Sequence, residues 1–179
     1  MAITYRPYTR TVDGEKELHE IKDLVSKDLS EPYSLYVFIY FIYKNPDLCI
    51  MAYDGDQMVG AIVCDLSSHR ECRSRGYIAM LAVVESYRGR GIAKQLVSKA
   101  VQTMKDQHAD EIVLEVEAVN DAAIHLYETV GFMRSKRLYH HYLNSNDAFR
   151  LILPLSERST YLSKFLPMLD EGALPAAAA

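Results

Sequence analysis

Residues 81–101, LAVVESYRGRGIAKQLVSKAV, change character twice within a short span. Leu81–Val84 are apolar and suit a strand. Arg88-Gly89-Arg90-Gly91 interrupt them, and Ile92, Leu96, Ala100, Val101 and Met104 then fall on one helical stripe. A strand, a glycine loop and a helix in that order leave unpaired main-chain N–H groups at the helix start, where the helix dipole adds roughly half a positive charge. Gly89 and Gly91 let the backbone approach a ligand closely, and Arg88 and Arg90 offer charge-assisted bonds. Such a turn suits a pyrophosphate. On spacing alone, an ordinary strand-to-helix turn is an equal alternative. The chain has no G-x-x-x-x-G-K-[ST] and no G-x-G-x-x-G, which argues against a P-loop nucleotidase and a dinucleotide-binding turn.

Upstream, Ile3–Tyr8 reads as a first strand, and Glu15–Leu29 as a helix that Pro32 ends. Ser34–Lys44, SLYVFIYFIYK, is apolar nearly all round and reads as a helix with more than one buried side, either wholly internal or in part a docking surface. Asp47–Asp54 and Gln57–Leu66 flank a turn at Asp54-Gly55-Asp56 and read as a hairpin. Gly76–Val84 has few polar positions and reads as a central strand. Downstream, Glu111–Val119 alternates as a strand, Asn120–Val130 is a helix stopped by Gly131, and Phe132–Leu143 and Ala148–Leu155 form a closing pair of strands. The order implies one α/β domain with a mixed, mostly antiparallel sheet of about seven strands and about four helices.

Composition narrows the function classes. A chain of 179 residues with 49% hydrophobic and 25% charged residues has enough core to fold without disulfides. Cys49, Cys64 and Cys72 are odd in number and form no C-x-x-C, which favours a reducing compartment and argues against structural zinc. His108, His125, His140 and His141 lack ligand spacing, so no metal is expected. The N-terminal residues lack a signal-peptide core and no run is long enough to span a membrane, so a cytoplasmic protein is expected. Net charge is −4, which disfavours direct nucleic-acid binding; Arg70, Arg73 and Arg75 read as a solvated loop.

Two segments carry a resemblance. Arg88–Ala93, RGRGIA, is similar to the Arg-x-x-Gly-x-Ala signature of the GCN5-related N-acetyltransferase (GNAT) superfamily, and Asn120–Phe132, NDAAIHLYETVGF, resembles its Asn-x-x-Ala…Leu-Tyr…Gly-Phe segment. Their order and separation make the pair more specific than either alone. LSEPYSLY (29–36), GYIAMLAV (76–83), LEVEAVN (114–120) and YHHYLNSNDAFRLILPL (139–155) further resemble N-terminal protein acetyltransferases, especially the catalytic subunits of NatC-type complexes. The resemblance covers about 1–156 as an acetyltransferase domain. It leaves 157–179 as a C-terminal tail, read as a helical start and a frayed end.

The resemblance implies acetyl transfer from acetyl-CoA, as co-substrate, to a protein α-amine, favouring Met followed by Leu, Ile or Phe. It implies large and small auxiliary subunits, nascent polypeptides as substrates, and ribosome contact through the partners. Strand alternation puts Glu115 and Glu117 on one face, where two carboxylates raise one another's pKa. Glu115 matches the family's general base. Tyr127 matches the residue that protonates the leaving thiolate, and Tyr77 a second catalytic tyrosine. The cofactor would lie on the backbone of Leu81, Ala82 and Val83, on Arg88, Gly89, Arg90, Gly91, Ile92 and Ala93, and beside Asn120 and Tyr127. The acceptor would meet Leu29, Glu31, Pro32 and Tyr33 on one wall, Tyr139, His140 and Tyr142 on the other, and Tyr77 and Glu115 between. Lysine or small-amine acetylation, and a non-catalytic acyl-CoA-binding subunit, are the alternatives.

Overall fold

The structure is a computed structural model that describes residues 2–10, 14–27, 33–70 and 73–159. Leu29, Glu31 and Pro32, Cys72, and the tail beyond 159 lie outside the described residues. The strands are β1 (Thr4–Pro7), β2 (Cys49–Asp54), β3 (Gln57–His69), β4 (Arg73–Val83), β5 (Glu111–Glu117), β6 (Met133–Leu138) and β7 (Ala148–Pro154). The helices are α1 (Gly14–Val25), α2 (Leu35–Lys44), α3 (Ile92–Asp106) and α4 (Asp121–Val130). They form one seven-stranded sheet in the order β1-β2-β3-β4-β5-β7-β6, with β4–β5 its parallel pair. Fold class and element order agree with the sequence reading.

Helices cover both faces. The α3 stripe of Ile92, Leu96, Ala100 and Met104 packs with Ile62, Ile78, Leu114 and Leu151 of the sheet. On the other face, Leu18, Ile21 and Val25 of α1 and Phe38 and Ile42 of α2 pack with Met51, Val63 and Met80. Fully burying each such side chain stabilises by roughly 1.5–3 kcal/mol. Of the two readings of α2, the wholly internal one needs correction here. Only Phe38 and Ile42 of α2 are buried, while Tyr36 is 82% exposed and Tyr40 58%. The helix forms an outer layer instead of sitting between layers, and the tyrosine hydroxyls make that side tolerable to water.

Two features of β4 shape the site. It pairs with β5 only through Arg75–Tyr77 against Glu111–Val113. Beyond Val113, β5 follows β7, while beyond Tyr77, β4 follows β3, so the two strands part as a fork. At the base of the fork, a Cβ on Gly76 would strike Met104 Sδ of α3, so any larger residue there has to displace that side chain. Higher up, the β3–β4 register passes from Cys64↔Ile78 to Val63↔Met80. Ala79 is thus an extra residue on β4, a bulge of the kind that sharpens local twist.

Candidate active site

The fork's β4 arm leads into the glycine loop. Gly89 and Gly91 have φ of 74° and 78°, the left-handed region that favours glycine, and nothing lies within 4 Å of where a Cβ would stand on either. Gly91 is the N-cap of α3 and has no side-chain cap. The first N–H groups of α3 therefore face open space without intrahelical partners. A cavity of about 500 Å³ lies beside them, walled by Leu81–Val83 of β4, the loop, and Asn120, Ala123 and Leu126 across the fork. Its shape and donors fit a pyrophosphate with a long thin arm running along β4.

The two arginines divide: Arg88 lines the cavity as expected, and Arg90 does not. Arg88 Nε donates to the Val83 carbonyl at 3.0 Å, tying the loop back to β4. Arg90 does not line the cavity; its guanidinium lies over the Tyr87 ring at 4.8 Å, and Tyr87 donates to Asp54 at 3.1 Å. Lys94 and Tyr87, which sequence reading passed over, do line it. Their signal was present only as ordinary helix and turn residues.

A second, smaller cavity of about 190 Å³ sits in the fork itself and shares Leu81, Asn120 and Ala123 with the first. Tyr77, Glu115, Glu117 and Tyr127 line it together. Each comes from a different constraint. Tyr77 is the last β4 residue paired with β5; Glu115 and Glu117 take the alternate face from Leu114 and Val116; Tyr127 is a buried residue of α4. Asn120 does two jobs, accepting from Ala123 N at 3.1 Å as the α4 N-cap and lining both cavities.

The two carboxylates have separate partners. Arg150 of β7, opposite Glu115 in register, donates from Nε to its Oε1 at 2.8 Å. Glu117 accepts from Asn144 at 3.1 Å and Asn146 at 3.4 Å. Arg150 was missed because pairing Glu115 with it needs the β5–β7 register, which the sequence does not state. Burial, then the adjacent Glu115 carboxylate, pushes the Tyr77 phenol well above its ordinary value. Burial alone is the leading cause of an equally strong rise at Tyr127. Both phenols therefore keep their protons at neutral pH.

The acceptor wall is only partly as expected. Tyr33 and Tyr142 line the chamber, but Tyr139 and His140 do not; His141 takes that position. Tyr139 is 72% exposed, and the His140 main-chain N–H donates to Asp147. The expected strand to Leu143 ends at Leu138, and His140 has φ of 49°, so strand alternation no longer applies there. The Asn144–Asp147 polar cluster was the signal for that turn. A groove of about 660 Å³ continues from Tyr77, Glu115 and His141 under Phe41 and along Asp65, Ser67 and His69 of β3. Arg75, read as a solvated loop residue, is instead paired with buried Glu111. Among the described residues, no group of three His, Cys, Asp or Glu is arranged for a metal, and no helix is long and apolar enough to cross a membrane.

Known proteins resemble this chain in sequence and in fold. N-alpha-acetyltransferase 30 of Saccharomyces cerevisiae is 48% identical over 171 residues, covering 93% of this chain and 96% of that protein. The Schizosaccharomyces pombe protein of that name is 48% identical over 151 residues, covering 84% of this chain and 97% of its own. A chain in a crystal structure of the NatC complex bound to Gag peptide and CoA superposes with a TM-score of 0.83 at 48% identity, covering 87% of this chain and all (100%) of that one. The profile of the Acetyltransferase (GNAT) family matches residues 18–132, which span the fork, the glycine loop and α4; with the donors and cavities found there, this chain belongs to the GNAT acetyltransferase family.

Proposed function

We propose that this chain is the catalytic subunit of a NatC-like assembly and transfers an acetyl group from acetyl-CoA to the N-terminal α-amine of proteins beginning Met followed by Leu, Ile or Phe. The observation that carries this reading is the junction of two cavities at Leu81, Asn120 and Ala123, with Glu115, Tyr77 and Tyr127 around the smaller one. Support for the α-amine comes from relatives that bear the name N-alpha-acetyltransferase 30. The hydrophobic second residue is supported by Tyr33 and Tyr142 in the chamber wall, whose rings offer apolar faces with polar tips.

Acetyl-CoA supplies the activated acyl group. An α-amine with a pKa near about 7.7–8.0 enters largely protonated. Glu115 takes that proton, directly or through water, and returns it to solvent past Arg150. The free β4 edge above Tyr77 presents main-chain N–H groups near Leu81 to the oxygen on which negative charge develops. The amine nitrogen then bonds to the acyl carbon as the C–S bond breaks; Tyr127 gives its proton to the departing sulfur, and the second proton shed by the nitrogen restores the phenol, which burial keeps protonated. Work in the cytoplasm, with partner subunits making the ribosome contact, belongs to the same reading and is supported by the net charge of −4, which disfavours direct contact with nucleic acid.

The test is mass spectrometry of peptides incubated with acetyl-CoA and the assembled complex. Met-Leu peptides with a free α-amine are expected to gain one acetyl group at that amine. Acetylation of α-blocked peptides at lysine alone would support the lysine alternative instead.

A further inference from the structure

We infer that Arg75, Asp110 and Glu111 form a lock at the base of the β4–β5 fork and act as positioning residues that hold the cofactor-binding arm and the Glu115-bearing arm at working separation. This inference rests on the acetyltransferase reading above. The two arms touch through only three register pairs, beginning with Arg75↔Glu111. Two consecutive acids at the start of β5 each bridge the same two segments. Asp110 accepts from Ser74 N at 2.9 Å and from Ser156 Oγ at 2.5 Å, and its own N–H donates to the Ser74 carbonyl at 2.7 Å. Glu111 accepts from Arg75 Nε at 2.7 Å and Nη2 at 2.5 Å through Oε1, and from Ser159 Oγ at 2.8 Å through Oε2. Glu111 is 0% exposed and the Arg75 side chain 17%. On the opposite face, Gly76 lets Met104 press against the same base.

A buried ion pair is weak evidence for stability, since apolar replacements often fold as well or better. What an apolar pair lacks is direction. The guanidinium engages one carboxylate oxygen with two donors, and Ser159 holds the other, so the carboxylate cannot rotate. Leverage makes this matter. Leu81 lies four residues above Tyr77, about 13 Å along the strand, so a tilt of about 5° at the base moves it by about 1 Å. A displacement of about 1 Å is enough to cost a reaction up to about a hundredfold. The cofactor cavity lies between Leu81–Val83 of β4 and the start of α4 at Asn120, Ala123 and Leu126, which follows directly on β5, so opening the fork also loosens that cavity.

The test compares two double variants of the full chain in its complex. Arg75→Met with Glu111→Leu removes the lock; Arg6→Met with Glu17→Leu removes a less enclosed pair, 2.6 Å apart at the β1–α1 edge, where the Arg6 side chain is 46% exposed and Glu17 8%. Both are expected to shift the melting temperature. Only the lock variant is expected to raise the Kd for CoA, by about tenfold in calorimetry, and to lower kcat on a Met-Leu peptide by more than it raises peptide KM. Unchanged CoA Kd and kcat in a folded lock variant overturn the inference. If that variant does not fold, Arg75→Lys keeps the charge without the fork and is expected to raise CoA Kd about threefold; no change there overturns it equally. Failure of the wild-type chain to acetylate any α-amine would sink the proposed function, yet leave the CoA-binding comparison to decide this inference.

Discussion

The two arms of the fork present different kinds of groups. The β4 arm, with its loop and the start of α3, offers main-chain N–H groups and two left-handed glycines. The β5 arm and the wall facing it offer side chains drawn from β4, β5, β7, α4 and the loop after β6. Main-chain recognition needs a contiguous run of permissive residues and writes itself into one short motif. Side-chain recognition needs only that distant residues meet, and its spacing in sequence is arbitrary. The cofactor side is therefore written in the sequence itself, and the acceptor side in the fold.

The largest expected effect is on the side-chain arm. Glu115→Gln should lower kcat by about 10²–10⁴, the usual worth of a positioned general base, with CoA affinity unchanged by calorimetry. A normal kcat would remove Glu115 from the mechanism. Next, on the main-chain arm, Gly91→Val puts a β-branched residue where φ is 78°. It should weaken CoA binding by about tenfold or more, while Arg90→Ala, whose partner is the Tyr87 ring, should change it by less than about fivefold. Equal losses in the two variants would break the distinction between the arms.

Tyr127→Phe should lower kcat by about tenfold to a hundredfold. Because burial raises the Tyr127 pKa, wild-type kcat should show no alkaline fall below about pH 10 that Tyr127→Phe abolishes; a pH-rate profile checks this. The smallest effect concerns the exposed loop after β6. Asp147 accepts from His140 N and pairs with Arg137, which hold its carboxyl below its ordinary 3.8. A depressed folded value means that its contribution is present above the unfolded pKa and fades as pH falls through the folded one. Protection of the His140 amide, taken relative to its intrinsic exchange rate at each pH, should thus fall only below about pH 4, and Asp147→Ala should lower it already at neutral pH.

Much of the molecule was legible because its periods were clean. The α3 stripe, the Asp54–Asp56 hairpin and the Gly131 stop followed from local chemistry. Glu115, Tyr127 and Tyr77 were found by motif and do meet around one chamber. Three things were not legible. The tyrosine-rich α2 looked buried because hydropathy counts Tyr rings and not which side of the helix meets water. Tyr139 and His140 were named for a wall that His141 occupies, because a positive-φ turn breaks the alternation that placed them. The pairings Glu115–Arg150 and Arg75–Glu111 exist only once strand order and register are set.

The unpaired Ala79 in β4 has a consequence for any attempt to tidy that strand. Below it, Tyr77 points to the acceptor face and Ile78 to α3; above it, Met80 and Ala82 face the α1–α2 layer, while Val83 packs on the α3 side. Skipping Ala79 leaves a regular alternation, with Tyr77, Met80 and Ala82 on one side and Ile78 and Val83 on the other. A one-residue deletion there would therefore keep both the core set and Tyr77 on their faces. What it would remove is the added twist with which β4 leaves β5, so the opening of the chamber, and not the packing beneath it, is what the extra residue provides.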